Sequence, residues 1–515
     1  MFEPYRNEPY SDFSDPANRA AYQAALQEVR GRLGTTYPLI FGADEVETPK
    51  VEESVNPCRP AEVVGITAYA DQDLAERALE TAWEAFPAWA ALAAEERARH
   101  LVKLAEAMRR RKYELSAWET LEAAKNWTEA EADVAEAIDF CEYYARQAIE
   151  LAEPLPTHPY PGEENESHLI PMGAGVVIPP WNFPLAILVG MTAGPVAAGN
   201  TVVLKPASNT PVIGAQFMQA VREAGFPPGV INYLPGPGGK VGDFLVDHPR
   251  TRFINFTGSK EVGLRIAQRS AVVQPEQAWL KRAFMEMGGK DAMVVDETAD
   301  LEEAAEAAVR SAFGFQGQKC SACSRLILVD RIYEEVLDRV VERASQLAVG
   351  PAEENHAVNA VISADQHRSI LAEIDKGEEE AKLVLGGDAV DREGGYYIQP
   401  TIFADVPPDA RLAQHEIFGP VLSVIRARDF DQATEIFNDA EYGLTGGLFS
   451  RERARIERAR REFHCGNLYI NRKITGALVG VQPFGGFKLS GSNAKAGGPD
   501  YLRLFMEMKT VAERW

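Results

Sequence analysis

From Gly173 onward the chain alternates short apolar, β-branched runs with helical ones, and this rhythm restricts the fold more than any other feature. Val176-Val177-Ile178, Thr201-Val202-Val203-Leu204, Val230-Ile231-Asn232-Tyr233 and Phe253-Ile254-Asn255-Phe256 read as strands. Residues 185–198, 211–224, 241–246 and 261–270 read as the helices between them. Repeated βα units predict a parallel sheet with helices on both faces, whose ligands sit at the carboxyl ends of the strands. The stretch 169–204 holds no charged residue and is long enough to cross a bilayer. Pro171, Pro179, Pro180, Pro184 and Pro195 divide it into short elements, so a buried strand–turn–helix–strand is the reading.

A second βα series follows from Ala292 to about Arg461, and a smaller third part closes the chain. Ahead of the first series lie a helical arm (20–33), short antiparallel strands (46–70) around the turn signal Asn56-Pro57, and four helical stretches (72–86, 93–112, 113–124, 129–151). The terminal run 504–511 reads as a strand that could pair at a sheet edge with another subunit.

A net charge of -23 over 515 residues argues against a nucleic-acid partner and against an anionic membrane surface. It also means that an anionic substrate needs local cations or backbone donors. Five cysteines without a pairing pattern fit a reducing compartment. Cys320-x-x-Cys323 stands without a second pair, so no metal site is expected. The opening Met1-Phe2-Glu3-Pro4-Tyr5 shows no basic apolar leader, and a cytoplasmic location is expected.

The motifs cluster where elements end. Phe315-Gln-Gly-Gln-Lys319-Cys320-Ser321-Ala322 leaves a helix at Gly317, ahead of the strand Leu326-Ile-Leu-Val329. Lys319 beside that thiol is expected to favour the thiolate, the nucleophilic form. A lone cysteine is more often a small buried hydrophobe. Thr257-Gly258-Ser259 joins a strand to a helix N-terminus, which suits either an anion or a plain N-cap. Lys205-Pro-Ala-Ser208 ends a strand with an ammonium and a hydroxyl. Gly236-x-Gly238 is no dinucleotide fingerprint, because Val241 stands where its last glycine belongs. Pro179-Pro180-Trp181-Asn182-Phe183-Pro184 fixes an amide in a rigid turn, fit to donate to an oxyanion. Met285-Glu286-Met287-Gly288-Gly289-Lys290 sets a carboxyl among apolar neighbours, which raises its pKa as a general base requires. His415-Glu416-Ile417-Phe418-Gly419-Pro420 adds a third carboxyl beside an aromatic.

Pro-Trp-Asn-Phe-Pro, Glu-Met-Gly-Gly-Lys, Gly-Gln-Lys-Cys and Glu-Ile-Phe-Gly-Pro, in this order and at these separations, resemble the aldehyde dehydrogenase superfamily from about residue 40 to the C-terminus. The segment from Asn471 to Gly491, with Thr475-Gly476-Ala477 and Pro483-Phe484-Gly-Gly, is similar to its glutamate-semialdehyde branch. The resemblance implies an α/β fold: a Rossmann-type NAD-binding domain (38–155 and 175–286), an α/β catalytic domain (287–465), an oligomerisation flap (156–174 and 466–515) and an N-terminal arm (1–37). It implies oxidation of L-glutamate 5-semialdehyde to L-glutamate in proline catabolism, through a thioester on the cysteine. Cys320 would be the nucleophile, Asn182 with the Cys320 backbone N–H the oxyanion hole, and Glu286 the activator of water. Ile178, Pro180, Trp181, Lys205, Ser208, Thr257, Gly258, Ser259, Gly288, Glu416 and Phe418 would hold NAD. Phe183 and Phe484 would flank the substrate chain, and Lys319, Ser321, Gly476 and Ala477 would face its carboxylate.

Some positions depart from the pattern. Ser208 stands where many NAD-dependent relatives carry Glu, which leaves NADP tolerated. Ala477 stands where some carry Ser. Ala123-Ala124-Lys125 lacks the common Gly-Lys, and Asn359-Ala360 replaces a usual Gly-Pro. Expected partners are the small substrate, a second copy of the chain and a proline dehydrogenase. Three readings compete: oxidation of succinate or aminoadipate semialdehyde, a nucleotide-free thiol esterase, and a non-enzymatic oligomeric scaffold.

Overall fold

The computed structural model describes residues 3–515. Its centre is two seven-stranded sheets. In the first, Arg282–Glu286, Phe253–Thr257, Ala174–Ile178, Thr201–Leu204 and Ile231–Tyr233 lie parallel in that order, and Leu39–Phe41 and Asp44–Val46 add an antiparallel margin. In the second, Thr401–Ala404, Val421–Ala427, Cys323–Val329, Asp291–Val295, Thr445–Phe449 and Asn467–Ile470 are parallel, with Lys382–Leu385 antiparallel at one edge. The central strands are buried along their length because helices cover both faces, which is why their sequences are continuously apolar rather than alternating.

The uncharged stretch is a strand, a proline-rich turn and the buried helix Ala186–Ala197, and no described helix is long and apolar enough to cross a membrane. The four helical stretches become Gln72–Ala90, Ala94–Arg110, Lys112–Ala123 and Trp127–Glu150. The arm helix starts earlier than its periodicity suggests, at Pro16, because Asp15 caps it and proline suits the first helical position. It docks through Tyr22, which stacks on Trp127 at 4.8 Å between ring centres and shares a 2.8 Å hydrogen bond with Thr120.

Two boundaries drawn from the sequence differ in the fold. Asn467–Ile470 is the outer strand of the second sheet, not the start of the flap. Thr35–Tyr37 pairs with Arg59–Ala68, so the arm ends before it. The terminal strand is Met506–Arg514 and pairs antiparallel with Glu163–Pro171 as a two-stranded ribbon.

Candidate active site

The helix Leu301–Phe313, capped by Asp300, ends against Gly314, and the chain then turns sharply to Cys320. Phe315, Gln316 and Gly317 all take positive φ, at 50°, 54° and 66°. Such a run persists only where its surroundings fix it. Gln316 donates to the carbonyls of Ala360 (2.9 Å) and Ala124 (3.3 Å), and Gln318 accepts from the Ile362 N–H (2.9 Å). A Cβ at Gly317 would lie 2.2 Å from the Gly419 carbonyl oxygen, so only glycine fits. The thiol is therefore held by a rigid turn.

Cys320, Glu286, Ser321, Phe183, Phe484, Gly476, Ala477 and Thr257 line one cavity of about 110 Å³. Glu286 ends its strand, and the segment 490–494 lies against it: Met287 N–H donates to the Ser490 carbonyl at 2.7 Å, and Ser492 N–H to that of Met285 at 2.7 Å. One Glu286 oxygen accepts from the Ala494 N–H at 3.3 Å; the other is buried without a hydrogen-bond partner among the described residues. Burial pushes this carboxyl up to about 8. The upward direction is the one expected from its apolar neighbours, and it is the one a general base requires.

Asn182 is buried in the proline turn and donates one amide hydrogen to the Gln318 carbonyl at 3.1 Å, which leaves its second hydrogen for a ligand. The turn is anchored from behind. Asp133, paired with the fully buried Lys125, accepts the Ala186 N–H, and the Lys125 ammonium lies 4.4 Å over the Phe183 ring. Around the cavity, the backbone N–H groups of Cys320, Gly476 and Ala477 donate to no described residue, and Gly476 has φ 78°. The Ser321 hydroxyl is likewise unengaged. Free donors facing an enclosed space suit oxyanions and carboxylates.

The thiolate-favouring effect expected of Lys319 is not met. Its ammonium is paired with both oxygens of Glu129, and it opens onto a neighbouring cavity. The Cys320 thiol is raised well above its usual value, first by burial and then by Asp291, Glu416 and Glu286. Cys323 is buried in its strand and directs Sγ to the Arg325 carbonyl.

The expected nucleotide residues lie at the carboxyl ends of the first sheet: Ile178, Pro180 and Trp181 at the end of one strand, Lys205 and Ser208 after the next, Thr257 to Ser259 at the end of a third, where Thr257 also lines the cavity, and Gly288 after a fourth. Ser259 caps helix Lys260–Ser270, accepting from the Val262 N–H at 3.4 Å. Lys205 is buried, its ammonium has only the Pro206 carbonyl (3.1 Å) among the described residues, and burial brings it down to about 8. It lacks a counter-ion, which fits it to ribose hydroxyls or phosphate. Ser208 reaches the Tyr69 hydroxyl at 3.5 Å. Glu416 accepts from the Gly289 N–H at 2.8 Å and is raised to about 7 by burial. A Cβ at Gly288 would stand 2.0 Å from a Glu416 oxygen, so the glycine makes room for that carboxylate. Phe418, at φ 57°, packs edge-on to Trp181 at 5.4 Å.

Glu129, Asp133 and Glu136 escaped sequence reading. They sit on one helix, Trp127–Glu150, at spacings of four and three that put them on one face. That spacing was the available signal, but acidic residues on a helix ordinarily face water. Here the face turns inward, and Glu136 lines the cavity.

The family profile described as "Aldehyde dehydrogenase family" matches residues 45–511. The chain is 56% identical to a 1-pyrroline-5-carboxylate dehydrogenase of Geobacillus thermodenitrificans over 514 residues, covering all of both chains. A crystal structure of a 1-pyrroline-5-carboxylate dehydrogenase from Thermus with bound NAD superposes with a TM-score of 0.99 at 59% identity, again over all of both chains. Proline utilization A from Bdellovibrio bacteriovorus matches with a TM-score of 0.97 at 46% identity, over 99% of this chain and 53% of that one.

Proposed function

The chain belongs to the aldehyde dehydrogenase family, and from that premise we propose that it oxidises L-glutamate γ-semialdehyde, the open form of 1-pyrroline-5-carboxylate, to L-glutamate with NAD. The observation that carries this reading is that one cavity wall holds a thiol, a partnerless carboxyl oxygen and two unengaged backbone N–H groups at Gly476 and Ala477. The first two supply the chemistry of aldehyde oxidation. The last two, with the Ser321 hydroxyl, receive a carboxylate. Phe183 and Phe484 bound the space between, which suits a short methylene chain. Glu136 on the same wall offers a partner for the substrate's ammonium.

The chemistry follows from these placements. Cys320 Sγ gives its proton to solvent water and attacks the aldehyde carbon, whose C=O pair moves to the oxygen, and a hemithioacetal oxyanion forms. The oxygen that gains charge is met by the free Asn182 amide hydrogen and the Cys320 N–H. NAD, when bound, accepts the hydride released from that carbon; Lys205, Ser259 and Glu416 are the residues that would hold it. Loss of hydride leaves a thioester on Cys320. Glu286 then takes a proton from water, the hydroxide adds to the thioester carbon, and the C–S bond breaks to release glutamate and restore the thiol. Ser208 presents a hydroxyl rather than a carboxylate, so a 2′-phosphate meets no like charge and NADP is tolerated.

The ribbon of Glu163–Pro171 and Met506–Arg514 supports a dimer. Two strands alone are marginal in water, and this pair exposes Met508 and Val511. The experiment for the substrate is kcat/KM measured with glutamate, succinate and aminoadipate semialdehydes. The reading expects the five-carbon amino acid to lead by at least about tenfold, the worth of one mismatched methylene. A lead for either rival would replace it.

A further inference from the structure

A second cavity, of about 520 Å³, adjoins the first: Phe183, Glu136, Gly476 and Ala477 line both. We propose that Lys473 and Arg310 in this vestibule form a way-station for the substrate's carboxylate, outside the anchor at Gly476–Ala477. The proposal rests on the function above and adds a capture step to it.

Six ionisable side chains line the vestibule, apart from Tyr10: Glu129, Glu131, Glu136, Arg310, Lys319 and Lys473. Glu129 and Lys319 neutralise each other. Glu131 is paired with Lys112, which lies outside the cavity. Glu136 is pushed up to about 8, chiefly by burial and by Asp133, and so carries little charge near neutrality. Arg310 and Lys473 are left, and neither side chain makes a hydrogen bond or ion pair among the described residues. Burial first, and then the nearby Lys319 and Arg310, lower the Lys473 ammonium, with Glu129 opposing them. The Lys473 ammonium stands 3.4 Å from the position a Cβ would take at Gly476, beside the anchor loop.

Two uncompensated cations in a recess of a chain with net charge -23 reverse the local field where the substrate enters. A concave wall with low-dielectric sides focuses that field. A zwitterionic amino acid arriving there turns its carboxylate toward Lys473 and Arg310 and its ammonium toward the carbonyl oxygen of the Glu136 carboxyl, which accepts a hydrogen bond without carrying a charge. That is the orientation the inner anchor requires, with the aldehyde leading toward Cys320. A dicarboxylate product leaves by the same cations.

The test uses the full-length protein and two variants, Arg310→Gln and Arg310→Gln/Lys473→Gln. Arg310 is exposed on helix Leu301–Phe313, so its single variant leaves the anchor loop untouched. kcat/KM is measured at low and high salt for glutamate semialdehyde and for pentanal, an uncharged aldehyde of equal chain length. The ratio of the two values should fall about threefold in the single and about tenfold in the double variant at low salt, and the salt dependence of the ratio should flatten, as expected for lost steering. Lys473→Arg in the single-variant background should retain the single variant's ratio. A ratio unchanged in both variants overturns the way-station. So does an equal fall for both aldehydes, which would mean a distorted anchor loop. A wild-type protein that oxidises pentanal but not glutamate semialdehyde overturns the substrate reading itself, and the way-station with it.

Discussion

The Lys319 ammonium stands 2.7 and 2.6 Å from the two carboxylate oxygens of Glu129, so the cation next to Cys320 is already neutralised. Burial first, and then Asp291, Glu416 and Glu286, raise the Cys320 thiol well above its usual value. Replacing Glu129 by Gln releases the Lys319 charge. Alkylation of Cys320 by iodoacetamide near neutral pH should then speed up, by about tenfold for each pK unit the thiol falls. An unchanged alkylation profile would show that the Lys319 charge does not reach the thiol.

In the proposed mechanism Glu286 acts in the second half of the reaction only. Glu286→Gln should keep a single-turnover burst of reduced nicotinamide and lose steady-state turnover by about 10²- to 10⁴-fold, the usual worth of a positioned base. Thioester hydrolysis should rise with pH as the carboxyl ionises, toward about pH 8. Loss of the burst itself would place Glu286 before hydride transfer instead.

The same carboxyl ties stability to pH. Glu286 and Glu136 are raised from 4.5 to about 8 and Glu416 to about 7. Raised carboxyls bind more protons folded than unfolded, so their contribution is complete below about pH 4.5 and is lost as pH rises to about 7–8. Thermal melts of the nucleotide-free protein between these limits should show Tm falling with pH. Glu286→Gln, which cannot ionise, should fall less steeply; an equal slope would exclude Glu286 as a contributor.

Gly288 and Glu416 form a second coupled pair. In Gly288→Ala the new methyl meets the Glu416 oxygen that lies 2.0 Å from its ideal position, and one of the two must move. Nucleotide affinity by calorimetry should drop by about tenfold or more, the cost of displacing one charge-assisted contact. The Tm should change less. Unaltered affinity would remove Glu416 from the nucleotide site.

Much of this was legible in the sequence because it is local. Strand-end motifs name their own position, so Glu286, Gly288, Lys205 and Ser259 were placed by the βα rhythm alone. Cys320 was legible through its glycine break and the flanking helix and strand. The ionisation of the site was not. Lys319 is adjacent to Cys320 in the chain, yet its charge answers to Glu129, 190 residues earlier and on another element. The inward acidic face of Trp127–Glu150 and the docking of Asn467–Ile470 on the second sheet depend on long-range packing that no window of sequence contains.

Absorbance of reduced nicotinamide during incubation with 1-pyrroline-5-carboxylate and NAD, run beside a Cys320→Ala variant, tests the central claim most directly. Steady reduction by the wild type and none by the variant is the predicted result. Reduction that survives in Cys320→Ala, or a wild type that binds NAD and reduces none with this substrate, would contradict it.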